Sequence, residues 1–351
     1  MEFFADFMQR ALYGADGYYR HATIGKEGDF YTSVSAGELF GDTIAALIAR
    51  SFAHCAFPRT VVEIGADSGY LLADIMRYLR RFFPHVFESL AFVIIEPLLP
   101  LAQKQRAYFE TLGLHVRIVE SAESFDCPLF VANELFDAMP CDLLQRESGA
   151  YSFGMLDEQK FAFVPMHALC GAQAEVARRL VALAERFSVV RGEIPLGYAP
   201  FLEQLLKPQT HWAFLTFDYG ERGFSNAFSL RFFKEKNIFG FEDFLRNPHA
   251  FLGNADITYD VAWDYVQWIF ENLGGACALY GRQNTILMRL GLVEVFERLV
   301  SGLSPQSREY IHYASILKTL IAPTLLGERF KAALFVASAL QADFGAFCKS
   351  P

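Results

Sequence analysis

The sequence predicts an α/β fold in which a mostly parallel β-sheet carries helices on both faces. Short β-branched, apolar runs alternate with amphipathic helical stretches, as expected for strands that are buried on both sides. One of these runs, Val61-Val62-Glu63-Ile64, passes directly through a glycine-containing turn into a helix. Ligands of parallel sheets bind where the strands end, so we expect a functional site at the carboxyl edge of the sheet.

The predicted elements follow a regular order along the chain. A first helix over residues 2–13 and an apolar helix over 39–52 precede the sheet. Strands are predicted at 60–64, 91–95, 115–119, 128–132 and 213–217, with helices at 71–83 and 98–112 between the first three. This alternation of strand and helix is typical of parallel sheets.

The alternation breaks after the fourth strand. An antiparallel insertion is predicted over 141–166, with turns at Glu147-Ser148-Gly149 and Asp157-Glu158, and a helix follows over 172–187. From residue 292 onward the sequence predicts helices that pack on the rest of the protein, with breaks at Ser304-Pro305 and Pro323. The predicted domains are an N-terminal helical cap (1–55), a core (56–140 and 211–291), an insertion (141–210) and a C-terminal helical segment (292–351).

Composition argues against several classes of protein. The 351 residues are 53% hydrophobic and include 36 Phe, so a large folded core is expected. The formal charge is −9 and basic residues form no block longer than pairs such as Arg80-Arg81, so a nucleic-acid partner is not expected and a basic polypeptide fits better. Six Cys without C-x-x-C spacing and eight His without a paired motif predict neither a metal site nor a disulfide framework.

The N-terminal run Met1-Glu2-Phe3-Phe4-Ala5-Asp6 matches neither a secretory signal nor a transit peptide. Lys318 and Lys331 interrupt the most apolar C-terminal stretches, and no stretch approaches the roughly 20 apolar residues of a membrane span. We therefore predict a cytoplasmic protein without membrane insertion, and the sequence leaves a homo-oligomer open.

The turn after the first sheet strand is the clearest candidate for a ligand site. Gly65 and Gly69 allow positive φ and close backbone approach, and the next helix offers its N-terminal N–H groups to a carboxylate or phosphate. The E-x-G-x-x-x-G spacing fits neither the dinucleotide fingerprint nor the phosphate loop. S-adenosylmethionine, with an amino-acid tail and a ribose, is the better candidate, and Glu63 can reach an ammonium or a hydroxyl. A tight connection with no ligand is the alternative.

Polar residues follow other predicted strands, and each of them has a functional and a structural interpretation. Glu96 follows the second strand, where an acid can accept both ribose hydroxyls or simply be solvated. Asn133, Glu134 and Asp137 follow the fourth strand, and the spacing of the two acids would place both on one side of a helical turn. The alternative is that Asn133 and Asp137 bond backbone groups around a turn ended by Pro140.

Several motifs, taken together and in this order, resemble the MidA-like methyltransferases. This S-adenosylmethionine-dependent family includes the mitochondrial arginine methyltransferase of complex I assembly. The resemblance covers about residues 7–291 and rests on F-M-Q-R-A-L-Y at 7–13, G-Y-Y at 17–19, I-G-K-E-G-D-F-Y-T-S at 24–33, L-F-G at 39–41, E-I-G at 63–65, N-E-L-F-D-A-M-P at 133–140, D-Y-G at 218–220 and A-D-I-T at 255–258.

The resemblance implies a class I, Rossmann-like methyltransferase that uses S-adenosyl-L-methionine. It implies a protein arginine as methyl acceptor, on a subunit of respiratory complex I or a related client. Carboxylates would then orient the guanidinium and accept its proton. The catalytic candidates are Asn133, Glu134, Asp137 and Asp256, with Phe136 as a possible wall of the site. The cofactor-binding candidates are Glu63, Gly65, Ala66, Gly69, Glu96, Glu123, and Asp29, Thr32 and Ser33 in a loop over the cofactor.

Three of these assignments have local alternatives. Glu123 could flank the adenine or cap the next turn, and the hydroxyls of the loop before the sheet could cap helices. The Asp218-Tyr219-Gly220 run closes the fifth strand and Asp256 lies in an irregular segment, and both could line the substrate entrance or serve turn chemistry.

The chain departs from the family pattern in two places. Asp67 occupies the position of the middle glycine in the family's loop. Asp tolerates left-handed φ, so the turn can keep its conformation. The Asp67 carboxylate would repel the carboxylate of the cofactor but would attract its ammonium or sulfonium group. The run Phe228-Ser229-Leu230-Arg231-Phe232 also differs from the family. A non-catalytic assembly factor on the same fold, and a methyltransferase for a small molecule or for RNA, therefore remain alternatives, with RNA disfavoured by the absence of a basic stripe.

Overall fold

A computed structural model describes residues 1–21, 33–157 and 160–342. The chain forms two compact units. Unit 1 comprises Met1–Phe30, Phe136–Glu203 and Tyr219–Ile269, and unit 2 comprises Tyr31–Leu135, Gln204–Asp218 and Phe270–Pro351. The division into cap, core, insertion and C-terminal segment stays a prediction.

The strands are, in chain order, β1 (Glu2–Phe3), β2 (Thr60–Ile64), β3 (Ala91–Ile95), β4 (Arg117–Val119), β5 (Pro128–Asn133), β6 (Asp142–Glu147), β7 (Ala150–Leu156), β8 (Phe161–Pro165), β9 (Arg191–Ile194), β10 (Ala213–Glu221), β11 (Arg231–Lys234), β12 (Asn237–Gly240), β13 (Asp256–Thr258), β14 (Val261–Ala262), β15 (Gly275–Arg282) and β16 (Phe330–Ala337).

The α-helices are α1 (Phe4–Tyr13), α2 (Ser33–Ala36), α3 (Leu39–Cys55), α4 (Tyr70–Phe82), α5 (Pro84–Glu88), α6 (Leu99–Thr111), α7 (Gly171–Arg186), α8 (Tyr198–Leu206), α9 (Phe241–Arg246), α10 (Trp263–Asn272), α11 (Gln283–Arg289), α12 (Leu292–Val300) and α13 (Arg308–Ile321). Short 3-10 turns lie at Tyr18–Arg20, Met166–Ala168, Pro248–Phe251 and Ser338–Leu340, and a π turn lies at Pro323–Gly327.

Unit 2 contains the predicted α/β sheet, whose strand order is β15-β16-β10-β5-β2-β3-β4. The strands from β10 to β4 run parallel to one another. All five residues of β2 are buried, which explains its unbroken apolar, β-branched character. Within the unit, α3 packs closely on α4, because Gly41 leaves room for the Asp74 side chain: a Cβ on Gly41 would lie 2.7 Å from Asp74 Cβ. The fold prediction is confirmed.

The register of this sheet aligns the carboxyl ends of its strands. Ile64 of β2 pairs with Ile95 of β3, which pairs in turn with Val119 of β4. On the other side, Asn133 of β5 pairs with Phe217 of β10. The residues that follow these positions therefore lie along one edge of the sheet, where the sequence predicts the site.

The helical prediction for the C-terminal segment is wrong for residues 330–337. Helices α12 and α13 are present, but Phe330–Ala337 is strand β16, fully buried between β10 and β15 and antiparallel to β15. Phe335 stacks on Phe270 with ring centroids 4.0 Å apart. A strand buried on both faces lacks the alternation of period two, so its apolar run cannot be told from a helix locally.

Unit 1 contains the predicted antiparallel insertion and a smaller sheet. The first sheet has the order β1-β7-β6-β9, with β8 beside β7, and the second has the order β12-β11-β13. The predicted turn after β6 is confirmed, since Ser148 and Gly149 both have positive φ. Many of the Phe residues form its core; Phe244, for example, packs against Phe4, Phe7 and Phe232.

Three local predictions are corrected in the structure. Glu2 and Phe3 begin the chain as a strand paired with β7, and not as helix, because pairing with Leu156 and Met155 fixes them in extended form. Asp256 lies in strand β13, and not in an irregular segment, because β13 pairs with β11. No helix covers Glu134 and Asp137: Glu134 has a φ of 54°, which ends the extended chain in a left-handed residue.

No helix within residues 1–21, 33–157 or 160–342 combines the length and apolar character that crossing a membrane requires. In those same ranges, no group of three or more His, Cys, Asp or Glu side chains could hold a metal ion.

Candidate functional site

The turn between β2 and α4 is built from alternating left-handed residues. Gly65, Asp67 and Gly69 have φ values of 70°, 43° and 81°. Ala66 is buried, and its carbonyl accepts a hydrogen bond from the N–H of Gly69 at 2.7 Å. A side chain at Gly69 would also collide with the Phe109 ring, since a Cβ there would lie 2.7 Å from Cε2. Asp67 therefore accepts the left-handed conformation, as predicted, and both glycines are required by the backbone.

Glu63 is buried beneath this turn. Its Oε2 accepts a hydrogen bond from the N–H of Leu72, in the first turn of α4, at 3.2 Å. Burial raises the pKa of Glu63 from 4.5 to about 8, and the nearby Asp67 adds to the shift. The carboxyl group therefore supports the helix N-terminus that would receive an anionic ligand group.

The raised pKa of Glu63 predicts a pH-dependent stability. Between pH 4.5 and about pH 8 the folded protein keeps a proton that the unfolded chain releases. Stability is therefore expected to fall as pH rises through this window. Thermal unfolding of the cofactor-free protein between pH 5 and 8 should show a falling melting temperature, with a shallower slope for Glu63→Gln.

The exposed acid of helix α6 provides the matched control, because Glu110→Gln should leave the slope unchanged. Asp142 and Glu193 in unit 1, whose pKa values burial raises to about 7, add a slope of the same sign to every variant. An identical slope in the native protein and in Glu63→Gln would contradict the assignment.

Glu96 follows β3 on the same edge and is 7% exposed, which rules out the solvated alternative. Its Oε1 accepts from the N–H of Leu98 at 2.8 Å, and its Oε2 accepts from Nε2 of Gln105 at 3.2 Å. Burial raises the pKa of Glu96, and also that of Asp67. Two buried acids, Glu63 and Glu96, and the partly buried Asp67 thus lie beside the turn, and a cationic ligand group would favour their charged forms.

Two acceptor atoms in this cluster are suited to a ligand that donates hydrogen bonds. Asp67 Oδ1 and Gln105 Oε1 are buried, and neither has a hydrogen-bond partner in the described part of the chain. Buried polar atoms usually have partners, so the exceptions point to a missing group. S-adenosylmethionine fits this donor and acceptor pattern, because its ammonium and ribose hydroxyls donate and its sulfonium is cationic.

The structure gives less support to the remaining predicted cofactor residues. Glu123 is exposed and forms an ion pair with Arg117, while its backbone carbonyl accepts from Nε2 of Gln209 at 2.7 Å. Ser33 is the first residue of α2. Asp29 and Thr32 lie outside the described residues. Their contacts with the cofactor stay predictions.

At the end of β5, Asn133 and Glu134 belong to unit 2. The amide of Asn133 donates from Nδ2 to Oε1 of Glu134 at 2.8 Å, and the N–H of Glu134 donates to the carbonyl of Phe217 at 2.8 Å. Glu134 is only partly buried and is held in the left-handed region, at a φ of 54°. Strained residues cluster at functional sites, so this position fits a reacting carboxylate.

In unit 1, tyrosine residues hold the segment that follows. Four successive carbonyls accept hydrogen bonds: Phe136 O from Tyr198 Oη at 2.6 Å, Asp137 O from Tyr259 N at 3.2 Å, Ala138 O from Tyr13 Oη at 3.0 Å and Met139 O from Tyr259 Oη at 2.8 Å. In each of these bonds a backbone carbonyl of the turn accepts from a tyrosine of another segment. The predicted turn around Asp137 is therefore stabilised mainly by contacts with other elements. Phe136 is fully buried against Tyr198, with ring centroids 5.0 Å apart.

Asp137 and Asp256 are 2% and 1% exposed, and unit 1 places both beside Tyr19. The Tyr19 hydroxyl donates to Asp256 Oδ1 at 2.7 Å. Burial raises the pKa of Tyr19 well above 10, and the charges of Asp256 and Asp137 add to it. Two buried carboxylates therefore lie beside a partly buried, neutral phenol.

Arg231 faces the same environment. Its guanidinium donates to Asp260 Oδ1 at 2.6 Å and lies over the Tyr219 ring, 5.2 Å from the centroid. Asp260 and Asp137 both help to raise the pKa of Arg231, against the opposing effect of burial. The structure thus already pairs one guanidinium with one carboxylate, Asp260, and one aromatic ring in this region.

Several of these residues were not identified from the sequence. Gln105, Tyr198, Tyr259 and Arg231 carry no local motif, and their roles depend on partners far along the chain. Tyr13 and Tyr19 fall within the family motifs, so the resemblance alone could have indicated them. The Asp218-Tyr219-Gly220 run lies within β10, where Asp218 is buried, and not in a turn.

The fold and the ligand-edge chemistry of unit 2 define a class I S-adenosylmethionine-dependent methyltransferase. The chain belongs to a family described as S-adenosyl-L-methionine-dependent methyltransferases, whose model matches residues 43–281. A protein from Burkholderia thailandensis, solved with bound S-adenosylhomocysteine, has a similar fold. The TM-score is 0.75 at 22% identity, over 95% of this chain and 87% of that one.

Curated relatives extend the comparison over most of the chain. The protein arginine methyltransferase NDUFAF7 of Danio rerio is 26% identical, over 93% of this chain and 81% of its own length. The Drosophila melanogaster homologue is 25% identical, over 93% and 79%. Both are named as mitochondrial proteins, which contradicts the predicted cytoplasmic location. That prediction was wrong because neither the composition of the first six residues nor the lack of a long apolar stretch specifies a compartment.

Proposed function

We propose that this methyltransferase modifies arginine side chains of a protein client. The observation that carries the proposal is the pair of buried carboxylates, Asp137 and Asp256, beside Tyr19 in unit 1. Carboxylates bind a guanidinium through paired, charge-assisted hydrogen bonds, and aromatic rings pack against its plane. The names of the curated relatives support the same substrate class.

In this proposal the carboxylates have separate tasks. S-adenosylmethionine would supply an electrophilic methyl group when bound by Glu63, Gly65, Ala66, Gly69 and Glu96. In unit 1, Asp137 and Asp256 are the proposed guanidinium-binding carboxylates. In unit 2, Asn133 orients Glu134 through the bond to Oε1, and Glu134 is the proposed general base. A guanidinium nitrogen must lose a proton to act as a nucleophile.

A peptide assay tests the substrate class. The purified protein is incubated with deuterium-methyl S-adenosylmethionine and with arginine-rich peptides, including segments of respiratory complex I subunits, the client implied by the family resemblance. We expect methyl incorporation on arginine, identified by mass spectrometry, together with stoichiometric S-adenosylhomocysteine.

Matched peptides with lysine in place of arginine are the control, and they should remain unmodified. Transfer to lysine and arginine alike would contradict the proposed specificity. Incorporation into small molecules of a cell extract, without any peptide modification, would replace it with small-molecule methylation. Cofactor binding without transfer to any acceptor would favour a non-catalytic assembly factor.

A further inference from the structure

Helix α6 carries a buried amide that contacts two parts of the cofactor edge in unit 2. Gln105 is fully buried, and its Nε2 donates to the carbonyl of Asp67 at 2.8 Å and to Oε2 of Glu96 at 3.2 Å. One side chain therefore connects the turn that follows β2 with the acid that follows β3. Oε1 of Gln105 has no hydrogen-bond partner within the described residues. Both hydrogen bonds of this side chain are therefore made by its amide nitrogen, Nε2.

The bond to Gln105 completes the support of the Glu96 carboxylate. Oε1 is held by the N–H of Leu98 and Oε2 by Gln105, so rotation of the carboxylate is restrained at both oxygens. Each carboxylate oxygen can accept more than one hydrogen bond, so capacity remains for two donors side by side. A fixed carboxylate binds a vicinal diol with less loss of conformational entropy than a rotating one.

The bond to Asp67 acts on the backbone of the glycine turn. Asp67 has a φ of 43°, a conformation that is costly for a residue with a side chain. The hydrogen bond from Gln105 to its carbonyl stabilises that conformation. Loss of the amide would thus loosen both the diol-binding acid and the turn at once.

We propose that Gln105 is a positioning residue of the cofactor site, which aligns Glu96 for the two ribose hydroxyls and fixes the Asp67 turn. This inference rests on the proposed role of Glu96 in binding the ribose. It assigns to α6 a function that no motif in the sequence indicates.

Isothermal titration calorimetry on the full-length protein tests the proposal with two ligands, S-adenosylhomocysteine and its analogue without the ribose hydroxyls. The native protein should prefer the hydroxylated ligand. In Gln105→Leu we expect the Kd for S-adenosylhomocysteine to rise about tenfold to 100-fold, the range of a hydrogen bond to a charged group. The Kd for the analogue should rise less, because loosening of the Asp67 turn affects both ligands whereas misalignment of Glu96 affects only the ligand with ribose hydroxyls, so the preference shrinks.

The control is Gln103→Leu, an exposed position on the same helix, which should leave both Kd values unchanged. In a Glu96→Ala background, adding Gln105→Leu should cause no further loss of preference, since the positioned group is gone. Equal weakening for both ligands in Gln105→Leu would show a purely structural role and overturn the inference. No preference in the native protein would instead overturn the role of Glu96.

Discussion

Glu134→Gln is expected to reduce methyl transfer at least about 100-fold, the lower range for loss of a general base, while leaving the Kd for S-adenosylmethionine nearly unchanged. The amide keeps the size of the side chain and an acceptor for Asn133 Nδ2, which lies 2.8 Å from Oε1 in the native protein. It cannot accept the substrate proton. Calorimetry with the cofactor, beside the arginine-peptide assay, separates the two effects.

Two further variants sharpen this test. Glu120→Gln changes an exposed acid that directly follows β4, the edge strand of the same sheet, and should retain activity. Glu134→Gly suits the φ of 54° and should abolish transfer without lowering the melting temperature. If Glu134→Gln lost cofactor binding and transfer in parallel, the residue would be structural and the proposed catalytic role would be wrong.

Gly220→Ala is expected to destabilise the protein by about 3 kcal/mol or more, from the sum of backbone strain and overpacking. Gly220 lies at the end of β10, where this strand pairs with Val261 of β14 in unit 1. A Cβ on Gly220 would lie 2.1 Å from the carbonyl oxygen of Val261, and its φ is 120°. Because the obstacle is backbone, no rotamer change can relieve the contact.

Thermal unfolding of the purified variant measures this effect. Gly223→Ala is the matched control three residues further along, where an added Cβ would meet nothing within 4 Å. A melting temperature of Gly220→Ala equal to that of the control would show that the two strands can separate at little cost. In that case Gly220 would not be explained by strand packing.

Local signals account for much of the fold that the sequence predicted. The bounds of β2 and β3 are reproduced in the structure, and α4 and α6 begin and end within one residue of the predicted ends. The glycine turn is also confirmed, including the left-handed Asp67. These features depend on periodicity, β-branching and turn residues within a short window. The errors at β1, β13 and β16 occur where pairing with a distant strand decides the conformation.

The candidate site also combines residues that local signals indicate with residues that only distant contacts bring together. Glu96 and Glu134 could be proposed from the sequence because each directly follows a strand, and parallel strands end at one edge. The tyrosine contacts around Asp137 could not, because Tyr13, Tyr198 and Tyr259 reach the segment across 125, 62 and 120 positions. A hydroxyl that bonds a backbone carbonyl leaves no pattern in its own neighbourhood.

The sequence by itself determined the strand-turn-helix unit, the acids at the strand ends and the family to which the chain belongs. These are properties of consecutive residues, since backbone conformation and side-chain alternation are set within a few positions. Only the tertiary structure decided that Gln105 holds Glu96, that β16 enters the central sheet and that Tyr19 meets Asp256. The reason is physical: burial and hydrogen bonding between distant segments depend on how the whole chain packs, and that packing chooses among local conformations of similar free energy.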